Sequence, residues 1–538
     1  MRKSAAWGYN DLCNVSTDEG AGRKQGLTIN YTSMKFNFFK AKKVAISNYE
    51  NAPADVMEPA MELYTSVVTT SLSHAFYELE DDRRVRINAL ISRCNPEFIA
   101  KLAVYARSTM NLRSVPLALI VELAKKESGN GLVSRSVTRV VQRADEITEL
   151  LACYQLSNDR KGTKKLNSLS KQIQKGLANS FNKFDVYQFA KYNRKTDVEL
   201  RDALFLVHPK AKDELQQQIF DQIATGTLAT PYTWETELSA LGQSRFENAD
   251  TKATAFKLKW EELLTSKKLG YMALLRNLRN ILTADVSAQH IELIAQYLAN
   301  ETAVKGSKQL PFRFLAAYRE LQTNSSKYTG VLLEALESAV QHSANNISGF
   351  GFDTSIVIAC DVSGSMQTAI APKSSVQLFD IGLMLAMLLQ ARCKNVITGM
   401  FGDTWKIIQV PKNNVLANVL NYREREGEVG YATNGYLVIE DLIKRKIKVD
   451  KVMFFTDAQL WNSNNTSSSF SRLWLQYKKR FPLAKLYLFD LAGYGKPPLQ
   501  IEVNDVYVIA GWSDKIFDVL DALENKMSVI DQINQIDI

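Results

Sequence analysis

From about Pro53 to Ala344 the chain sets apolar residues three and four positions apart, segment after segment, and nowhere alternates them every second position as a strand would. A stretch of that length without strands cannot build a sheet, because the apolar stripe of each helix has only other helices to cover it. EFIAKLAVYARS (97–108), PLALIVELAKK (116–126), SVTRVVQRADEITELLACY (136–154) and YMALLRNLRNIL (271–282) each predict one helix. AQHIELIAQYLAN (288–300) and LLEALESAVQHSA (332–344) continue the series, with short polar connectors such as ESGNG (127–131) between segments. Roughly a dozen or more antiparallel helices in a row predict an all-α solenoid of helix pairs. No repeat recurs at a fixed spacing, so the repeats are degenerate.

Around SANNISGFGFD (343–353) glycine, serine and asparagine cluster, and the period then changes. The expected domains are therefore 1–346 and 347–538. In the second, apolar runs such as TSIVIACDV, NVITGMFGD, DKVMFFTDA, AKLYLFDLAG and NDVYVIAG take turns with helical segments. Strands that are apolar throughout and alternate with helices predict a doubly wound α/β domain with a mostly parallel sheet. Ligands of such sheets bind beyond the carboxyl ends of the strands.

The run DVSGSM sits at such an end. Asp361 follows a strand, and a carboxylate beside the core is costly unless something compensates it. A divalent cation is the natural compensation: Mg²⁺ takes six oxygens and keeps several waters, so one carboxylate with the hydroxyls of Ser363 and Ser365 makes a partial cage. Gly364 is expected to permit the tight turn between them. Two further loops offer oxygens, FFTDAQ through Asp457 and GYATNG through Thr433.

The formal charge of the 538 residues is +9, and Ile347–Ile538 holds about 20 basic and about 20 acidic residues, so the excess lies wholly before it. A basic helical half points to a polyanion, above all nucleic acid. The five cysteines (Cys13, Cys94, Cys153, Cys360, Cys393) are scattered without metal or disulfide spacing, as in a cytoplasmic protein. The longest uncharged apolar run, IGLMLAMLLQA (381–391), is too short to span a bilayer, so no membrane partner is expected. His74, His290 and His342 stand alone on helices and read as structural or surface residues.

Within about 26 residues, Lys183, Lys191, Arg194, Lys195 and Arg201 surround Tyr187, Tyr192 and His208. Cations neutralise phosphates and aromatic faces stack on unpaired bases, so this segment is the first candidate RNA site. Arg107 and Arg113, with Arg135, Arg139 and Arg143 at four-residue spacing, predict a second, cationic stripe. Arg276 in LLRNLRN is a further basic candidate.

DVSGSM, Thr433 and TDA together resemble the metal-ion-dependent adhesion site of von Willebrand factor A domains, except that Asn434 stands where that family often has aspartate. The resemblance implies that Asp361, Ser363, Ser365, Thr433 and Asp457 are the ligands of a divalent cation, Mg²⁺ above all, whose free position takes an acidic group from a partner. An A domain behind a basic helical array resembles the Ro autoantigen family, whose N-terminal half is the TROVE domain. YQFAKYNRKTDVELRDALFLVHPK (187–210), YTWETELSALG (232–242), MALLRNLRNI (272–281) and the last segment VYVIAGWSDKIFDVLDALENKM carry that resemblance. It implies a ring of HEAT-like repeats in which single-stranded 3′ ends of misfolded noncoding RNA thread a basic hole while Y RNA binds outside. By position, Lys191 and Arg194 or Lys195 would contact phosphates, and His208 would contact Y RNA. The first 45 residues, and TDVEL where many relatives have tryptophan-serine-histidine, depart from the family.

These observations predict a monomeric, non-enzymatic RNA-binding protein of RNA quality control, with an exoribonuclease or another protein as a partner of the A domain. A protein scaffold without RNA is the competing expectation. A nuclease centred on Asp361 and Asp457 is a third, but it lacks the further carboxylates and histidine base that hydrolytic two-metal sites use.

Overall fold

The structure, a computed structural model, describes residues 46–69, 80–158, 169–343, 354–370, 374–461 and 470–538. Cys13, His74 and the expected boundary at 346/347 lie outside the described residues. The described strands are β1 (Ile46–Ser47), β2 (Pro53–Ala54), β3 (Ser355–Asp361), β4 (Asn395–Phe401), β5 (Trp405–Ile407), β6 (Lys451–Thr456), β7 (Lys485–Asp490) and β8 (Val506–Ala510).

Seventeen described helices run from Pro59 to Ser343. Their starts follow local chemistry. Asn95 accepts from the Glu97 N–H just ahead of Pro96, and Asp185 and Gln188 satisfy each other's orphan amides in a capping box. The predicted helices at 97–108, 116–126 and 271–282 appear as Pro96–Ser108, Ser114–Lys126 and Tyr271–Thr283. The segment 136–154 does not form one helix: it splits into Leu132–Val140 and Asp145–Ser157. Two charges, the buried Glu146 and the exposed Lys183, explain the break. The Glu146 carboxylate accepts from the Gln142 and Arg143 N–H groups (2.7 and 3.1 Å), and the Lys183 ammonium donates to the carbonyls of Thr138 and Val141.

β3 to β8 form one six-stranded sheet in the order β5-β4-β3-β6-β7-β8, parallel except for the antiparallel edge strand β5. That three-residue edge was not read from the sequence. Alternate residues of each strand face opposite ways. Val357, Ala359, Val452 and Phe454 join a core closed by the helices Tyr436–Lys444 and Phe470–Arg480. Ile356, Ile358, Cys360, Met453 and Phe455 face a core that runs without interruption into the helical array.

Both ends of the array dock on the α/β part, so the described chain closes on itself. At the first seam the Tyr64 hydroxyl donates to Ala510 O (3.1 Å), while Arg83 and Arg86 donate to the carbonyls of Ala492 and Gly493 (2.8 Å each). Gly493 has φ +66°, and a Cβ there would lie 2.3 Å from Thr69 Oγ1, so only glycine allows this approach. At the second seam Arg319 grips Asp380 through both guanidinium ends (2.5 and 2.9 Å), and Arg423 adds a third contact at 2.7 Å. Glu337 supplies an N-terminal cap across the same seam, accepting from the Leu416 and Ala417 N–H groups of the helix Val415–Glu424. The described cysteines, Cys94, Cys153, Cys360 and Cys393, are free thiols.

Candidate metal centre and nucleic-acid interface

Strand register places Asp361, Thr456 and Asp490 in one row at the carboxyl end of β3, β6 and β7. Asp361, Ser363, Ser365, Thr433 and Asp457 are all buried, and hydrogen bonds tie their three loops together. Ser363 N–H donates to Asp361 Oδ1 (2.9 Å), Thr456 Oγ1 donates to Asp361 Oδ2 (2.6 Å), and the Ser363 and Ser365 hydroxyls are 3.1 Å apart. The Thr433 carbonyl accepts from Trp461 N–H at 3.0 Å, which draws the third loop to the one carrying Asp457. Asn434, fully buried, donates from its backbone to Gly402 O and from its side chain to Asp403 O, so it fixes the Thr433 loop against the β4–β5 turn. Ala458, next after Asp457, sits at φ +62°, a left-handed conformation that costs a non-glycine residue on the order of 1–2 kcal/mol. Gly364 does not do what was expected of it: its φ is not positive, and a Cβ there would meet nothing within 4 Å.

The electrostatics of this pocket are unfavourable as the side chains stand. Burial pushes the Asp361 carboxyl up, and burial and then the Asp361 charge push Asp457 up. Thr433 Oγ1 and Asp457 Oδ2 are buried without a hydrogen-bond partner. Among the described residues no three His, Cys, Asp or Glu side chains gather at metal-binding spacing. The donors are instead two carboxylates and three hydroxyls, an all-oxygen set that fits a hard divalent cation. These five residues could hold one, and Thr456, which steadies Asp361, is a supporting residue that the motif did not single out.

The basic residues of the array fall into two groups. Arg107, buried, pairs with fully buried Glu146 at 2.7 Å, and Arg113 reaches Asp145 and Glu149 at 3.1 and 2.9 Å. Arg143 pairs with Asp145 (2.8 Å) and lies over the Tyr192 ring, 4.4 Å from its centre. Lys183 is spent on the carboxyl end of the helix Leu132–Val140, and burial pushes its ammonium down. Arg135 and Arg139 donate to the carbonyls of Ile538 (3.1 Å) and Asp537 (2.7 Å), while Lys101 holds Asn534 O. The expected cationic stripe is thus a set of ion pairs and carbonyl contacts, because acids and carbonyls distant in sequence lie opposite it.

The other group is open. Lys191, Arg194 and Lys195 are exposed and make no hydrogen bond or ion pair with a described residue. The Lys191 ammonium lies 5.8 and 5.7 Å from the Tyr187 and Tyr192 rings, and Tyr187 is 43% exposed. Lys191 and Arg194 line a groove of about 360 Å³ whose other wall is formed by Leu228–Pro231, Thr233 and Glu235. His208 stands apart from this groove, as the left-handed cap (φ 51°) of the helix Leu200–Val207, exposed near Phe205 and its overlying Arg201. Arg276 is exposed, on the helix Tyr271–Thr283. His290, by contrast, is held by Ser287 and Thr265.

A degenerate helical array whose two ends are joined by a von Willebrand A-type domain defines the class of this protein. The TROVE domain model matches residues 68–255 and 227–348, just over half of the chain, and the chain belongs to that family, to which the Ro resemblance pointed. Two relatives are telomerase protein component 1 of Mus musculus, 26% identical over 312 residues, and of Rattus norvegicus, 26% identical over 357 residues. The matches take in 44% and 51% of this chain but only 11% and 13% of those much longer proteins. The crystal structure of the Deinococcus radiodurans RO (RSR) protein shares the fold, covering 87% of this chain and 100% of its own at a TM-score of 0.57 and 16% identity. No described helix is long and apolar enough to cross a membrane.

Proposed function

We propose that this protein binds noncoding RNA through unpaired segments, among them single-stranded 3′ ends of misfolded RNA and Y RNA-like molecules, in RNA quality control or processing. The observation that carries the reading is the open groove at Lys191 and Arg194, with Tyr187 and Tyr192 beside the ammonium. Free cations there would neutralise phosphates, and the exposed Tyr187 face would stack on a base. Lys195 extends the charge, and His208 with Arg201 and Phe205 offers a second contact for structured RNA. Membership of the TROVE family supports the reading.

In the A domain, Asp361, Ser363, Ser365, Thr433 and Asp457 would hold Mg²⁺ or a similar cation, which supplies an open position for an acidic group. That is a binding role rather than a catalytic one. Crosslinking the protein in its own cells and sequencing the attached RNA tests the main claim. Enrichment of noncoding RNAs through single-stranded ends is expected; recovery of proteins without RNA would favour a scaffold, and Mg²⁺-dependent turnover of labelled RNA lost in Asp361→Ala would favour a nuclease.

A further inference from the structure

The helix Val529–Asn534 seats the buried Val529 and Ile533, and the segment Gln535–Ile538 that follows crosses the helical array as neither helix nor strand. Three cations hold this stretch by its main-chain oxygens. Lys101 Nζ donates to Asn534 O (2.7 Å), Arg139 to Asp537 O (2.7 Å) and Arg135 Nε to Ile538 O (3.1 Å). Arg135 and Arg139 are exposed, stand one turn apart on the helix Leu132–Val140, and form no ion pair with a described acid. Glu97 and Glu127 are near, but Lys101 engages the first (2.8 Å) and Asn130 reaches the second (3.4 Å). Between the segment and the helices a cavity of about 620 Å³ stays open, lined on the helical side by Asn95, Lys101, Asn130 and Arg135. The segment therefore spans its groove instead of filling it, with Gln535 and Asp537 exposed and Ile536 and Ile538 half-buried.

The covered arginines lead toward the open groove. Just past them Lys183 binds the carbonyls of Thr138 and Val141, and Arg143, paired with Asp145, lies 4.4 Å from the centre of the Tyr192 ring, which the Lys191 ammonium also flanks at 5.7 Å. The covering stretch DQINQIDI (531–538) carries two acids and no base, and it offers oxygens to the guanidinium groups as a phosphate backbone does. Its contacts are to neutral carbonyls, whereas a phosphate oxygen makes a stronger, charge-assisted and often bidentate bond to arginine. We propose that Gln535–Ile538 is a displaceable strap that occupies Arg135 and Arg139, so that single-stranded RNA entering at Lys191 and Arg194 extends onto these two arginines only when the strap lifts. The inference rests on the RNA reading proposed above and adds a means of regulating that site. With the strap seated the two arginines contribute nothing to binding, and removing them from the wild type leaves its salt dependence as it is.

The test compares wild type with a variant ending at Asn534, which keeps the Val529 and Ile533 anchors, in binding a single-stranded oligoribonucleotide at increasing salt. Ile536→Ser/Ile538→Ser, which loosens the strap without shortening the chain, serves as a second variant should the first fail to fold. Removing the strap is expected to steepen the slope of log affinity against log salt by about 1.4, or about 0.7 for each freed arginine. Adding Arg135→Ala/Arg139→Ala to the shortened chain is expected to return the slope to that of wild type. A merely structural strap would lower the melting temperature without steepening the slope. If the slope does not steepen while Lys191→Ala/Arg194→Ala still reduces that of wild type, the inference is overturned and the RNA groove stands. The inference also fails if the steeper slope survives loss of both arginines. If neither wild type nor the strapless variants bind the RNA, both readings fall.

Discussion

Two basic regions of the helical array, built from the same residue types, serve opposite ends. Around Arg107, Arg113 and Arg143 each guanidinium faces a carboxylate on the helix Asp145–Ser157, and the charge is consumed in holding neighbouring helices together. Around Lys191, Arg194 and Lys195 no described acid forms an ion pair, although Glu235 stands on the facing wall of the groove, and aromatic rings flank the ammonium instead. A count of cations therefore does not define a nucleic-acid surface. What marks a candidate surface is cations left without an ion-pair partner beside exposed aromatic rings.

That contrast can be broken by experiment, and the largest effect belongs to the consumed region. Glu146→Ala leaves Arg107 buried without its carboxylate and leaves the Gln142 and Arg143 N–H groups without their acceptor. It should cost about 3–5 kcal/mol in urea denaturation, with RNA binding altered only as far as folding is. The seam at Asp380 gives an effect of similar origin that pH controls. Burial raises its carboxyl, but Arg319 and Arg423 outweigh this and hold it below the usual range. The stabilisation is complete above the ordinary carboxylate pKa and is lost as pH falls through the lowered folded value. Thermal melts of wild type should therefore fall in acid more steeply than those of Asp380→Asn, which starts lower.

Lys183→Met should cost about 1 kcal/mol, the value of a cation on a helix's last carbonyls. A larger loss in RNA affinity than in stability would return Lys183 to the open group. Arg135→Ala with Arg139→Ala should change stability by about 0.5 kcal/mol or less, as exposed contacts do, and should leave RNA affinity unchanged.

The limits of sequence reading follow the same division. The meeting of Asp361 and Asp457 was legible because a parallel strand ends its side chains at a fixed place, so the two acids come together once β3 and β6 are neighbours. Gly364 was misjudged because the turn needs no left-handed residue, whereas the strained position, Ala458, carries no sequence mark. The break at Val141–Ala144 and the fate of Lys183 depend on contacts some forty residues away, between groups whose local pattern is continuous helix. Lys191 and Arg194 were legible only together with their tyrosines.

The most direct measurement is the salt dependence of single-stranded RNA binding for wild type, Lys191→Ala/Arg194→Ala and Arg135→Ala/Arg139→Ala, all checked for equal stability. Each lost phosphate contact lowers the slope of log affinity against log salt by about 0.7. The account predicts a slope reduced by about 1.4 for the Lys191/Arg194 variant and a line superimposed on wild type for the Arg135/Arg139 variant. An unchanged slope in the first, or a reduced one in the second, would contradict it.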